Sequence, residues 1–284
     1  MRGKSQKFNP RQHMRTETFE VFHYRDAALE PVALHQHDFY EVYFFLNGQV
    51  EYRVEGRAYR MEPGDLLLIN PMELHQPIVE SGEKPYERIV LWISRKYLED
   101  LSFNGDSLTR CFDSTQPAHS NLLRLSPVER ESVSGRLETL VRETQSGEYG
   151  AIQYAAGVLL QFLVELNRAA QSADKSVPED CQAPPVVKDA LAYIGEHYCE
   201  QLSLENLADR FYVSKYHLAH AFQQAVGTSV YHYIILRRLV AAKQMLGSGI
   251  APGVVSSRCG FGDYANFYRA FKAEYGVSPQ NYGK

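Results

Sequence analysis

Hydrophobic and polar residues alternate over short runs in the first third of the chain. Six runs rich in Val, Phe, Tyr and Ile, separated by turn residues, predict β-strands at 17–24, 40–46, 49–54, 57–61, 65–69 and 88–94. Asn47-Gly48 lies between the second and third runs and predicts a tight hairpin, because both residues tolerate positive φ. Six strands with no helix between them indicate an antiparallel sandwich or barrel.

After residue 126 the apolar positions change to helical spacing. Two stripes predict two helices within 127–170, and stripes this apolar need a surface to pack on. The first stripe is Val133, Leu137, Leu140 and Val141, and the second is Leu159, Leu160, Phe162, Leu163 and Leu166. The next segment, 171–185, is rich in Ser, Asp, Lys and Pro, a composition typical of a flexible linker.

The first of two helix-turn-helix patterns follows the linker. Ser203 and Ser214 are good N-caps for two short helices joined by the three residues 211–213. Two short helices joined so closely must cross at a steep angle. Tyr212 occupies a turn position that would suit glycine, because a positive φ costs an L-residue on the order of 1 kcal/mol.

The second helix-turn-helix pattern lies within 250–272. Gly260 suits a left-handed helix stop, and Gly262 or Asp263 can cap the helix that follows. A longer helix predicted at 231–246 connects the two patterns. Its length would fix the distance between the second helices of the two units.

A set of spaced residues in this region falls in register with a known pattern: Leu207-Ala208, Ser214, Leu218, Phe222, Gly227, 237–246, Cys259-Gly260-Phe261, Phe267, Phe271-Lys272, Gly276 and Ser278-Pro279. By these residues, the last third of the chain resembles the DNA-binding domain of the AraC/XylS family of bacterial transcription regulators. The resemblance implies that the helices 215–224 and 263–272 each enter a major groove, whose width admits one α-helix.

The resemblance implies that the family's base-contacting positions fall on Tyr216, Ala219, His220, Tyr264, Ala265 and Arg269. The polar residues of the same two helices add Lys215, His217, Gln223, Asn266 and Lys272 as candidate DNA-binding residues. The two alanines can touch only a thymine methyl group, so hydrogen-bonded reading of bases is expected of His220, Asn266 and Arg269. Phosphate contacts, which position the protein without specifying sequence, are expected of Lys215, His217, Lys272 and the Arg237-Arg238 pair.

The predicted strands contain a second pattern: His35-Gln36-His37, Glu41, Gly48, Gly64, Asn70, Met72 and His75. It resembles the two motifs of the cupin barrel, in which the second motif has a strand ending in histidine. The first motif departs from the pattern at Leu29, and the second departs at Asn70, Met72 and Val79. A cupin barrel before the DNA-binding domain is also the usual arrangement in the AraC/XylS family.

Polar and aromatic residues of this barrel are candidates for binding a small effector: His35, His37, Glu41, Tyr43, Arg53, His75 and Trp92. The resemblance implies a further possibility, because His35, His37, Glu41 and His75 are the metal ligands of enzymatic cupins. Three imidazoles and one carboxylate suit a divalent transition metal with open coordination positions. The alternatives are an effector bound without metal, and no ligand role at all. No cofactor is certain from the sequence.

Charge is distributed unevenly along the chain. The net charge is −4, yet residues 201–284 carry nine Lys/Arg and four acidic residues, a local net charge of +5 that leaves −9 for the rest. An acidic N-terminal part and a basic C-terminal part are typical of a sensor domain joined to a nucleic-acid-binding domain.

Two further features concern where the protein works. No run approaches the roughly 18 apolar residues of a membrane span, and the basic start has no apolar stretch behind it. The four cysteines, Cys111, Cys181, Cys199 and Cys259, are far apart and read as reduced thiols. Together these features predict a cytoplasmic protein.

We therefore expect an α+β protein of two domains, divided as a cupin-like effector-binding antiparallel β-barrel (15–125), a helical packing and dimerisation segment (126–170), a linker (171–185) and an all-α double helix-turn-helix domain (186–284). The expected function is a transcription regulator, an activator by family default, controlled by a sugar or related metabolite. Its expected partners are promoter DNA, a second copy of the chain and RNA polymerase, in the bacterial cytoplasm at the nucleoid.

Two other functions remain open from the sequence. One is a metal-dependent cupin enzyme, or a metal sensor, that carries a DNA-binding module. The other is a nucleoid-type DNA binder without an effector. We expect no enzymatic activity, because no second catalytic acid or base is identifiable.

Overall fold

A computed structural model describes residues 13–27, 30–71, 73–80, 84–103, 105–116, 119–172 and 183–282. The chain divides into two compact units, the first comprising 1–54 and 58–182 and the second comprising 55–57 and 183–284. Most of the predicted linker, 171–185, lies outside the described residues, as do Leu29, Met72 and Cys181. The two-domain α+β prediction is confirmed, since the N-terminal unit is built on antiparallel strands and the C-terminal unit is helical.

The strands of the N-terminal unit are β1 (Phe19–Asp26), β2 (Phe39–Asn47), β3 (Val50–Val54), β4 (Arg57–Arg60), β5 (Leu66–Ile69), β6 (His75–Val79), β7 (Tyr86–Ser94) and β8 (Leu122–Leu123). One sheet has the order β1-β7-β2-β5-β8 and the other the order β4-β3-β6. In the described part of the chain, the strands therefore form two sheets and not a closed barrel. The predicted strands correspond to β1 to β5 and β7, whereas β6 and β8 were not predicted.

The hairpin predicted at Asn47-Gly48 is wrong. β2 pairs with β5 and β7, and β3 pairs with β4 and β6, so the turn crosses from one sheet to the other. The reason is burial, because β2 is covered on both faces and takes a central position with neighbours on either side. Gly48, at φ +116°, passes so close to β7 that a Cβ would lie 3.1 Å from the Tyr86 Cα atom.

The five-stranded sheet carries a different core on each face. Alternate residues of β2 point to opposite faces: Val42 and Phe44 pack toward helices, whereas Tyr43 and Phe45 pack toward the three-stranded sheet. The helices are α2 (Pro127–Ser146) and α3 (Ala151–Ser172), preceded by the short α1 (Arg95–Asp100) and a 3-10 turn (Arg110–Phe112). A capping box of Ser126 and Glu129 starts α2. Both predicted apolar stripes lie on the inner faces of these helices.

The C-terminal unit contains α4 (Pro185–His197), α5 (Leu204–Arg210), α6 (Lys215–Val226), α7 (Val230–Gly247), α8 (Pro252–Arg258) and α9 (Tyr264–Tyr275). Helices α5 and α6 form the first helix-turn-helix, and α8 and α9 form the second. The predicted caps are confirmed: the side chains of Ser203, Ser214 and Asp263 each accept a hydrogen bond from a backbone N–H of the first turn. No helix among the described residues is long and apolar enough to cross a membrane.

Glycine conformation sets the second turn as predicted. Gly260 has a φ of +77°, and a Cβ at this position would collide with the backbone of Cys199. The corresponding turn of the first helix-turn-helix, residues 211–213, has no glycine. There Tyr212 itself adopts a φ of +56°.

Candidate functional site

A carboxylate is buried among aromatic side chains between the two sheets of the N-terminal unit. Glu41 on β2 is 6% exposed and lies directly opposite Trp92 in the β2–β7 register. Trp92 Nε1 donates a hydrogen bond of 2.7 Å to Glu41 Oε2, and the Tyr52 hydroxyl donates one of 3.4 Å to Oε1. The carboxylate is therefore held by one strand of each sheet, by β7 beside β2 and by β3 of the three-stranded sheet.

Three imidazoles surround this carboxylate. His35 and His75 form an isolated backbone bridge that brings their rings to a centroid distance of 4.3 Å, and the His37 ring is 4.7 Å from that of His75. The ligand atoms of His37, Glu41 and His75 all lie within 4.8 Å of one another. The structure thus brings together His35, His37, Glu41 and His75. His75 begins strand β6, whereas the sequence motif suggested that it ends a strand.

Backbone carbonyls hold the three imidazoles in one tautomer. The Nδ1 atoms of His35, His37 and His75 lie 2.9, 2.9 and 2.8 Å from backbone oxygens two residues away in the chain. A carbonyl oxygen can only accept, so each Nδ1 carries a proton, and a ring in its neutral form presents the lone pair of Nε2. The Nε2 atoms of His37 and His75 are buried and have no hydrogen-bond partner in the described part of the chain.

His37 Nε2 lies 3.3 Å from Glu41 Oε2, but without the alignment of a hydrogen bond. Burial acts to raise the pKa of Glu41, yet the close contact with His37, the charges that His37 and His35 carry when protonated, and the Trp92 hydrogen bond outweigh it and hold the pKa below its ordinary value. Burial, helped by His35 and His37, holds the pKa of His75 well below its ordinary range. The cluster is therefore a carboxylate that stays ionised beside imidazoles, of which burial keeps His75 neutral.

The other predicted effector residues differ in position. Tyr43 is buried beside Tyr52, with a ring-centroid distance of 4.9 Å, and its hydroxyl is 2.6 Å from that of Tyr86. Arg53 lies on the opposite face of β3 from Tyr52 and donates to Glu51 Oε1 at 2.8 Å. The structure therefore groups Tyr43 and Trp92 with the cluster and places Arg53 away from it.

Sequence reasoning missed Tyr86 as part of this interior. The predicted strand began at 88, whereas β7 begins at Tyr86. The alternation of Tyr86, Arg88 and Val90 could have extended that strand, because residues two apart share a face. Burial raises the pKa of Tyr86 to about 12, so its hydroxyl stays protonated.

The residues present fit a divalent transition metal. Nε2 of His37, Nε2 of His75 and the carboxylate of Glu41 lie within 4.8 Å of one another, and His35 lies beside them. Metal-bound histidines characteristically donate their other N–H to a carbonyl or carboxylate, which is the arrangement found here. The mixed nitrogen and oxygen donor set suits zinc, iron, copper or nickel more than calcium or magnesium.

The first candidate DNA-binding surface is the outer face of α6. The apolar face of α6 buries Leu218 and Phe222. The residues on its exposed side are Lys215, Tyr216, His217, His220 and Gln223, whereas Ala219 is half-buried. Tyr216 is 78% exposed, and Lys215 lies above its ring while pairing with Glu205 at 3.6 Å.

The second candidate surface is the outer face of α9. Phe267 and Phe271 are fully buried, and the exposed residues include Tyr264, Ala265, Asn266, Arg269 and Lys272. The Tyr264 ring packs against Phe267 and Tyr268. Asn266 is engaged on both ends of its amide, by Asp263 and by Arg269. The structure thus exposes every predicted DNA-binding residue except the half-buried Ala219.

Comparison with known proteins assigns both units. Residues 20–176 match the AraC-like ligand binding domain, and residues 207–284 match a helix-turn-helix domain. The HTH-type transcriptional activator RhaS of Salmonella schwarzengrund is 24% identical over 248 residues, covering 87% of this chain and 86% of its own. The HTH-type transcriptional regulator YbfI of Bacillus subtilis is 27% identical over 237 residues, which cover 82% of this chain and 80% of YbfI. The crystal structure of ToxT of Vibrio cholerae with bound unsaturated fatty acid is 16% identical in sequence and has a TM-score of 0.42. The match covers 95% of this chain and 96% of the ToxT chain.

Proposed function

Because the chain belongs to the AraC family of transcription regulators, we propose that a small hydroxyl-rich effector binds at the histidine–glutamate cluster and controls promoter binding by the C-terminal unit. A transcription regulator of this family is not an enzyme. One observation carries the proposal: the buried Nε2 atoms of His37 and His75 face the same carboxylate and have no hydrogen-bond partner among the described residues.

The chemistry of the cluster selects the kind of effector. The imidazole Nε2 atoms and the Glu41 carboxylate are all acceptors, whereas the nearby hydroxyl of Tyr52 and N–H of Trp92 already donate to Glu41. A buried acceptor without a donor costs about 1–3 kcal/mol. A ligand that supplies several donors, such as a sugar or related metabolite, removes that cost, whereas a carboxylic acid would add acceptors. The aromatic walls, Tyr43 and Trp92, suit the apolar faces of a sugar ring.

The C-terminal unit is proposed to bind promoter DNA through α6 and α9. In the first helix, we propose that the exposed His220 and Gln223 hydrogen-bond with base edges and that Tyr216 and Ala219 make apolar contacts. In the second helix, Tyr264, Ala265 and Arg269 face outward. Lys215, His217 and Lys272 are placed to contact phosphates, which would position both helices in their grooves.

Control would come from the difference in effector affinity between two arrangements of the protein. We propose that the protein acts as a homodimer through the segment of α2 and α3, and that effector binding changes which half-sites the dimer occupies together. Activation, through contact with RNA polymerase, is proposed because relatives such as RhaS are named transcriptional activators. A regulator of bacterial promoters works at the nucleoid, in the cytoplasm.

The effector proposal is tested by a thermal-shift screen of sugars, polyols, amines and carboxylic acids on the full chain. The expected hits are hydroxyl-rich compounds, since a ligand at 100 times its Kd stabilises the folded state by about 2.7 kcal/mol. The variant Glu41→Gln should lose the response. The matched control is Glu87→Gln, because Glu87 also pairs with a histidine, His23 at 2.9 Å, but from the other face of the sheet. Equal loss in both variants, or hits confined to carboxylic acids, would refute the proposal.

A metal-dependent sensor is the second candidate, favoured by the convergence of His37, Glu41 and His75. These three residues would hold the ion, with His35 as a fourth ligand, and the ion would supply a positive charge that binds effector oxygens. Elemental analysis of purified protein distinguishes the candidates. Near-stoichiometric zinc, iron, copper or nickel that is lost in Glu41→Gln and kept in Glu87→Gln would support the metal site, and metal-free protein would leave the cluster to an organic effector.

A further inference from the structure

Three polar side chains form a hydrogen-bonded chain along the exposed side of α9. Asp263 caps the helix by accepting from the backbone N–H of Asn266 at 2.8 Å, and its second carboxylate oxygen accepts from the Asn266 side-chain amide. The amide oxygen of Asn266 in turn accepts from Arg269 Nη2 at 2.6 Å. Donation runs in one direction, from the guanidinium group through the Asn266 amide to the capping carboxylate.

The position of Arg269 on the helix makes it the most outward side chain. It lies two residues from each of the buried Phe267 and Phe271, which is about 200° around the helix from both. Its neighbours one turn before and after, Ala265 and Ala273, are alanines. A long side chain flanked by two alanines can reach the floor of a groove while the helix backbone approaches closely.

The pattern of donors on Arg269 then decides which base it fits. A guanidinium group has five N–H donors, and the contact with Asn266 uses one of them. The remaining donors can make the paired contact to O6 and N7 of guanine, the commonest specific arginine contact in the major groove. Asn266 has both ends of its amide engaged, so its orientation is set by Asp263 and Arg269 and it is not free to turn toward adenine without losing those contacts.

We propose that α9 reads a guanine through Arg269 alone, and that Asn266 and Asp263 are positioning residues that hold the guanidinium group in its reading geometry. This inference rests on the proposed DNA-binding function and assigns one base of its half-site. It differs from the expectation, drawn from the sequence, that Asn266 reads a base itself. Pre-organisation of Arg269 would strengthen discrimination, because less side-chain freedom is lost when the base is bound.

The test is selection of binding sites from a randomised DNA library by the full-length protein, followed by sequencing. Arg269→Ala and Arg269→Lys should each abolish a guanine preference at one position of the half-site, a loss of about 5- to 150-fold in discrimination, and leave the other positions unchanged. Lysine keeps the charge but lacks the paired donors. Asp263→Ser should weaken the same preference several-fold without unfolding the helix, because serine already caps α5, α6 and α7. Asn266→Ala should behave like Asp263→Ser.

Lys272→Ala is the matched control, since loss of a phosphate contact lowers affinity for all sequences nearly equally. Three results would overturn the inference while leaving the proposed function intact: a guanine preference that survives both Arg269 variants, loss of a different base in them, or loss of an adenine preference in Asn266→Ala. Wild-type protein that selects no sequence at all would refute the proposed function, and the inference with it.

Discussion

Tyr212 stores backbone strain in the turn of the first helix-turn-helix, and this strain can be measured. Its φ is +56°, a conformation that costs an L-residue roughly 1–2 kcal/mol. Its side chain is 96% exposed, so replacing it removes almost no buried contact. The backbone conformation alone should therefore decide the stability of variants at this position.

The expected magnitude follows from two opposing effects in Tyr212→Gly. Glycine removes the left-handed strain but loses about 0.5–1 kcal/mol through the greater freedom of its unfolded chain. The net result is a stabilisation of about 0.5–1 kcal/mol. Tyr212→Ala keeps the strain and should remain close to the wild type. At an ordinary negative φ the order would be reversed, with alanine more stable than glycine.

The assay is urea unfolding of the full chain, followed by two probes. Far-ultraviolet circular dichroism reports all helices, whereas fluorescence of Trp92, the single tryptophan, reports the N-terminal unit alone. The glycine variant should shift the helical transition to higher urea and leave the Trp92 transition unchanged. An alanine variant as stable as the glycine variant, or more stable, would refute the strain argument.

Three further predictions concern buried groups. Phe267→Ala should lower the free energy of unfolding of the C-terminal unit by about 3–5 kcal/mol in the same assay, because Phe267 is fully buried. Asn167→Ala should destabilise the N-terminal unit by about 1–3 kcal/mol, measured by Trp92 fluorescence, because it leaves the Cys111 N–H and the Leu108 carbonyl unpaired. Burial raises the pKa of the Glu274 carboxyl, although Lys243 acts to lower it, so the folded protein loses stability as pH rises through this raised pKa. Glu274→Gln should therefore have a higher free energy of unfolding than wild type at pH 7. The difference should disappear near pH 4, as measured by urea unfolding at each pH.

Elements that depend on local sequence could be predicted, and those that depend on distant pairing could not. Ser203, Ser214 and Asp263 were identifiable as caps because the hydrogen bonds they accept come from residues three positions away. The Asn47-Gly48 turn carries a strong hairpin signal, but burial of both faces of β2 overrides it. Strand β6 was hidden by Pro77, which weakens a strand pattern and is tolerated here because β6 is an edge strand.

The two functional surfaces differ in the same way. The outer faces of α6 and α9 follow from helical periodicity, so the exposed residues could be named without a structure. The polar cluster instead depends on Glu41 and Trp92, 51 residues apart, meeting across β2 and β7. Its histidines were identifiable from a motif, but the sequence does not reveal that backbone carbonyls fix their tautomers, nor that Arg53 points to the other face of its strand.

That difference bears on how specificity is divided within the protein. On α9, Arg269 is coupled to Asn266 and Asp263 through one hydrogen-bonded chain, but that chain lies on an exposed face, where a substitution leaves no buried group unpaired. In the cluster, Glu41 is shared by Trp92, Tyr52 and His37, so a substitution at one residue leaves buried partners unsatisfied at the others. Base preference should therefore respond nearly additively to paired substitutions in distant parts of α9 and α6, whereas effector affinity should show strong coupling between Glu41 and His37 in a double-mutant cycle. Additive behaviour at the cluster would indicate that the effector binds elsewhere.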